Sequence, residues 1–126
     1  MIKGVGIDIV ERARLCHALD SDGFKQRVYT PAEIEMGDTK KRLASVSFWA
    51  GRWAAKEALS KALGTGIGAH CSFQDIEVLS NESGAPQMTV SGAAKQRMEE
   101  LGAKKILLSI SHERSYAVAM VILEGE

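Results

Sequence analysis

A chain of 126 residues with 16 basic and 16 acidic side chains carries no net charge, and its length suits one domain with an ordinary buried core. Neutrality excludes whole-molecule steering of a polyanion, so nucleic acid is not expected as a main ligand and any charged partner must meet a local patch. Cys16 and Cys71 belong to no C-x-x-C pair, the N-terminus carries acids inside its short apolar part, and no apolar run is long enough to cross a bilayer. The expectation is therefore two free thiols, no signal peptide, no membrane partner and a soluble, cytoplasmic protein.

Met1 to Val10 alternates as a strand, with Val5, Ile7 and Ile9 on one side and Asp8 on the other. Read locally, Asp8 is either a solvated carboxylate or a cap for a short helix over Glu11 to Leu19, which bears Arg12 and Arg14. Asp20-Ser21-Asp22-Gly23 is a loop. Phe24 to Tyr29 reads as a helical turn with Lys25 and Arg27 exposed. Thr30-Pro31-Ala32-Glu33 is a helix start, with Thr at the N-cap, Pro at the first helical position and Glu two residues later. That helix fades near Gly37, and Lys40-Lys41-Arg42 either begins the next helix or forms a basic patch beside it.

The stretch from Phe48 to Gly68 organises the rest. It is an alanine-rich helix in which Trp53, Glu57 and Lys61 are successive i,i+4 neighbours on one stripe. Phe48, Ala55, Leu59, Ala62 and Leu63 form the packed face, with Arg52 and Lys56 between the two. Gly64 is the expected left-handed stop, so Glu57 and Lys61 project near a glycine turn whose bare amides are expected to approach an anion. Taken alone, the stripe reads first as an exposed Glu-to-Lys pair on a solvated face. Gly64-Thr65-Gly66-Ile67-Gly68-Ala69 matches a dinucleotide fingerprint in letters only, because that motif follows a strand and opens a helix. Here the helix comes first, and no Gly-Lys-Ser/Thr follows to make a P-loop.

Beyond it, Phe73 to Leu79 and Gln87 to Val90 read as strands joined by the turn Asn81 to Pro86. Ser91 is a candidate N-cap for a helix running to Leu101, which Gly102 ends. Ile106 to Ser111 and Tyr116 to Leu123 are the last strands. The sum is a single α+β domain over residues 1–126, an antiparallel sheet packed around one long central helix. His17 and His70 have no partner at zinc spacing. His112 differs: it follows Ser109-Ile110-Ser111 where a strand gives way to a turn, a grouping of hydroxyls, amides and imidazole that suits a phosphate or a nucleobase edge.

Three segments stand in order: Gly6-Ile7-Asp8-Ile9-Val10-Glu11, then Arg52-Trp53-Ala54-Ala55-Lys56-Glu57-Ala58 running on to Lys61 and the glycine turn, then Ser109-Ile110-Ser111-His112. This order, with Phe24 to Glu33 and Phe73-Gln74-Asp75-Ile76-Glu77, resembles the holo-acyl-carrier-protein synthases, the small bacterial 4′-phosphopantetheinyl transferases, over essentially the whole chain. The resemblance implies that fold and Mg²⁺-dependent transfer of 4′-phosphopantetheine from coenzyme A to a serine of apo acyl carrier protein. Adenosine 3′,5′-bisphosphate is released, and the setting is fatty acid biosynthesis. It implies Asp8, Glu57 and Lys61 as catalytic, with Asp8 and Glu57 holding the metal. Coenzyme A falls to Arg52, Gly64, Thr65, Gly66, Pro86, Ser111 and His112. The acidic carrier falls to Arg14 and Arg27, with Arg12 and Lys25 as further candidates. The family pattern also implies a homotrimer with active sites at subunit interfaces. The proton acceptor is left between Glu57 and a water oriented by Asp8. The alternative is a non-catalytic, trimeric module that binds coenzyme A, against which the intact Asp8, Glu57 and Lys61 speak.

Overall fold

The longest element, helix α4 (Arg42–Leu63), lies across a three-stranded antiparallel sheet of order β1-β5-β4. The computed structural model describes residues 1–126. The strands are β1 (Ile2–Glu11), β4 (Lys105–His112) and β5 (Tyr116–Glu124). Around them run α1 (Arg12–Leu19), α2 (Phe24–Val28), α3 (Pro31–Asp38), a hairpin of β2 (Ile76–Ser80) and β3 (Pro86–Val90), and α5 (Gly92–Glu100). The sheet is thus two sheets, because β2 and β3 pair only with each other.

Close packing of α4 on β1 depends on two glycines. A Cβ at Gly4 would collide with the carbonyl of Ala62, and one at Gly6 with that of Ala58. Alanines at 54, 55, 58 and 62 keep the helix thin on the same side, and Ala117, Ala119, Val121 and Leu123 of β5 complete the core there. The opposite face of the sheet is apolar and bare. Val5, Ile7 and Ile9 of β1, Met120 of β5 and Leu107 of β4 lie on it, with Ile7 58% exposed and paired in register with Met120.

The capping box of α3 forms as its letters predict: the Thr30 hydroxyl accepts from the Glu33 amide, and the Glu33 carboxylate accepts from the Thr30 amide. The same carboxylate reaches further. It binds the Lys56 ammonium at 2.6 Å and the Val78 amide at 2.6 Å, with both charged side chains wholly buried. Lys56, expected between the two faces of α4, instead sits in the core, its other two donors on the carbonyls of Val28 and Phe73. Burial lowers the Lys56 pKa and the Glu33 charge opposes that.

Other departures have local causes. Phe73–Asp75 is a 3-10 turn and not strand, because Ser72 and Asp75 cap each other there. Lys25 is half-buried in an ion pair with Asp38, 3.1 Å away, and over the Trp49 ring. Ser91 caps nothing with its side chain; Asp75 accepts the Ala94 amide instead. Cys16 is exposed and Cys71 buried, and both are free. No helix is long and apolar enough to cross a membrane.

Candidate active site

Strand parity turns Asp8 toward α4, one residue after Ile7 on the bare face. There it meets Lys61, whose ammonium donates to Asp8 Oδ1 at 2.8 Å and to the Ile7 carbonyl at 3.1 Å. This overturns both local readings: Asp8 caps no helix, since α1 starts behind Glu11 without a side-chain cap, and Lys61 pairs across to β1 and not with Glu57. The Asp8 side chain is only 11% exposed. Its second oxygen, Oδ2, is buried with no hydrogen-bond partner.

Glu57 lies one turn before Lys61 and is half-buried. Its pKa is raised, first by burial and then by the Asp8 charge, while Lys61 pulls the other way. Two carboxylates therefore repel each other across a site that has one ammonium to balance them. No cluster of three or more His, Cys, Asp or Glu side chains surrounds a single point. A donor set of two carboxylates, one with an orphaned oxygen, suits a small hard cation whose shell is completed by water and phosphate oxygens.

The glycine turn closes α4 as expected, with Gly64 at φ 78° and Gly66 at φ 69°. Its amides are not bare, however. Gly64 N donates to the Lys61 carbonyl, and the Thr65 and Gly66 amides both donate to that of Ser60. What remains open is space: nothing lies within 4 Å of where a Cβ would stand on Gly66. Thr65 faces a polar cavity of 460 Å³ shared with His70, Gln96, Arg97 and Glu100. Cys71 lies close by, with its thiol pushed up to about 11 by burial and then by the Asp75 charge, which closes thiolate chemistry near neutral pH.

Arg52 and His112 meet at a different place. Both line a cavity of 480 Å³ between the first half of α4 and the end of β4, together with Arg12, Lys40, Ser47 and Phe48. Arg52 is held there by its Nη2 donating to Ser80 Oγ at 2.8 Å and by stacking on the Phe48 ring at 4.2 Å. Burial lowers its pKa. Pro86 opens β3 opposite Ser80, so it borders the same region. Ser111 does not join them: paired with Val118, it shares the bare outer face of the sheet. Within one chain no residue lines both the Arg52 and His112 cavity and the Thr65 cavity, and none of Asp8, Glu57 and Lys61 lines either.

Arg14 stands exposed on α1 beside a small apolar pocket of 150 Å³ formed with Ile9, Val10, Leu15, Ala18, Phe24 and Trp53. Arg27 is exposed and donates to the Asp22 carbonyl. Arg12, grouped with them in the sequence, is buried and faces the other way. Nothing in the sequence marks that reversal, because its partners are backbone carbonyls distant in the chain. Lys56 and Glu33 were missed as a pair for a similar reason, although the capping box had already singled out Glu33.

A family profile described as the 4′-phosphopantetheinyl transferase superfamily matches residues 4–121. A holo-(acyl-carrier-protein) synthase of Halothermothrix orenii is 47% identical over 126 residues, covering 98% of each chain. One from Geobacillus kaustophilus is 48% identical over 125 residues, covering 98% of this chain and 90% of that protein. Among solved structures, a holo-(acyl-carrier-protein) synthase from Bacillus anthracis, in complex with CoA (3′,5′-ADP), superposes with a TM-score of 0.86 at 42% identity, covering 100% of this chain and 99% of that one.

Proposed function

This chain belongs to the 4′-phosphopantetheinyl transferase superfamily, and we propose a division of labour among its residues for that chemistry. It is a holo-acyl-carrier-protein synthase, moving 4′-phosphopantetheine from coenzyme A to a serine hydroxyl of an apo acyl carrier protein. Residues 1–126 act as one transferase domain, in the cytoplasm and in the service of fatty acid synthesis.

Asp8 and Glu57 hold Mg²⁺. The buried, unpartnered Oδ2 of Asp8 is the observation that carries this reading, since a carboxylate oxygen left without a donor is costly unless a cation or water completes it. When bound, the ion supplies charge neutralisation on the pyrophosphate oxygens. The serine oxygen attacks the β-phosphorus, the bond to the 5′-phosphate breaks, and adenosine 3′,5′-bisphosphate departs with the electron pair. The serine proton goes to the Glu57 carboxylate or to a water oriented by Asp8. Lys61 steadies the departing phosphate with its ammonium. Most of the rate comes from positioning and electrostatics.

Arg52, Pro86 and His112 hold the coenzyme on one side, while Gly64, Thr65 and Gly66 give it close passage on another. Ser111 reaches it from the outer face. Because these groups are divided within one chain, the reading is that they converge across subunits of a homotrimer. The bare apolar face of β1, β5 and β4 supports it. Arg14, with Arg27, docks the acidic carrier.

The test is intact-mass spectrometry of apo acyl carrier protein incubated with this protein, coenzyme A and Mg²⁺, with a chelator control. A phosphopantetheine mass gain that the chelator abolishes is the expected result. Coenzyme A bound and left intact with every carrier would instead favour a non-catalytic coenzyme-binding module.

A further inference from the structure

Arg12 opens α1 immediately behind β1 and is 9% exposed, yet no carboxylate pairs with it. Its guanidinium is spent on backbone carbonyls. Nη1 donates to those of Glu113 at 3.2 Å and Arg114 at 3.3 Å, and Nη2 to that of Leu43 at 3.0 Å. Its own amide donates to the Ser115 carbonyl at 2.8 Å. The remaining nitrogen, Nε, is buried without a partner. Burying a cation with only neutral acceptors is expensive, and here it ties two segments distant in the chain to each other.

The two segments border one cavity. Residues 113–115 form the turn directly after His112, and Leu43 lies in the first turn of α4; His112 and Leu43 both line the 480 Å³ cavity, as does Arg12 itself. The other charged side chains of that lining are Lys40 and Arg52, with no acid among them. The α4 end of the clamp is also strained. Arg42, the residue before Leu43, has φ 52°, a left-handed conformation that a side chain bearing a Cβ adopts only when its surroundings hold it there.

We propose that Arg12 is a positioning residue for the coenzyme: it bolts the turn carrying His112 to the strained first turn of α4 and adds an unneutralised cation to the wall of a cavity that receives phosphate. It is not a carrier-docking residue, although Arg14 two positions on is read as one. The proposal rests on the coenzyme A reading above.

The experiment compares wild type, Arg12→Met and Arg12→Lys by three measurements: thermal unfolding, Michaelis constants for coenzyme A and for the carrier separately, and calorimetric binding of adenosine 3′,5′-bisphosphate alone. Arg12→Met is expected to weaken bisphosphate binding and raise the coenzyme Michaelis constant by about tenfold, the scale of one charge-assisted hydrogen bond. The carrier constant should stay within about twofold, because no carrier contact is lost. Arg12→Lys keeps the charge but not the fork, so it is expected to lie between the two. Should Arg12→Met fail to fold, the lysine variant decides alone. Unchanged coenzyme affinity in a folded variant, or an increase confined to the carrier constant, overturns the proposal. Failure of the parent reading looks different: wild type itself would then give no mass gain on the carrier.

Discussion

At Asp8, one carboxylate oxygen is paired with Lys61 and the other is buried and unpartnered, and the Asp8 charge bears on Glu57 beside it. The raised pKa of Glu57 is due first to burial and second to the Asp8 charge. Asp8→Asn removes only the second, so the Glu57 carboxyl should titrate lower in the variant, still above an ordinary glutamate, as followed by carbon-13 NMR on metal-free protein. The same linkage has a sign for stability. A carboxyl whose pKa is higher folded than unfolded favours the fold in acid, and that contribution is lost as pH rises through the folded value. Asp8→Asn should therefore flatten the decline. Under the metal assignment, Asp8→Ala and Glu57→Gln should each abolish turnover in the mass assay with the circular dichroism spectrum unchanged; activity retained in either would remove that residue from the metal site.

Helix α4 is held by its glycine contacts on one side and by a buried ion pair on the other. The Glu33 carboxylate serves three donors and the Lys56 ammonium three acceptors, so each charge is compensated only while both are present. Glu33→Gln should cost about 3–5 kcal/mol in urea unfolding, because it leaves the ammonium buried without its counter-charge. Adding Lys56→Met to that variant should recover part of the loss, since the second change removes the stranded charge; an additive double variant would show that the pair is not coupled. The same two residues show where sequence reading ends. The capping box at Thr30 and Glu33 is legible because its partners are three positions apart. The bond to Lys56 spans 23 positions, and helical periodicity alone puts that lysine at the edge of the packed face.

For the whole molecule the open question is what covers the sheet. Val5, Ile7 and Ile9 are each more than half exposed in one chain, beside Met120 and Leu107, and a face this apolar is an interface in the making. With a homotrimer as the reading, Ile7→Glu should shift wild-type trimer to monomer in sedimentation velocity and lower turnover with it, because coenzyme groups divided within one chain would no longer meet. A variant that stays trimeric would move the interface elsewhere on the surface.

Much of this protein was determined by the sequence itself: the order of elements, the α+β class, the alternation that turns Asp8 from the bare face, and the glycine stop of α4 all follow from local periodicity and backbone preference. The resemblance carried by three short motifs, matched by relatives over nearly the full chain, pointed to the reaction. Tertiary structure alone decided which partners the charged groups take. Arg12 turned inward to carbonyls more than a hundred positions away, Lys56 went into the core to Glu33, and Lys61 went to Asp8 rather than to Glu57. The physical reason is common to all three. Propensity and periodicity act over a few residues, whereas a buried charge or amide takes whichever donor or acceptor the packed chain brings within about 3 Å, however distant in sequence.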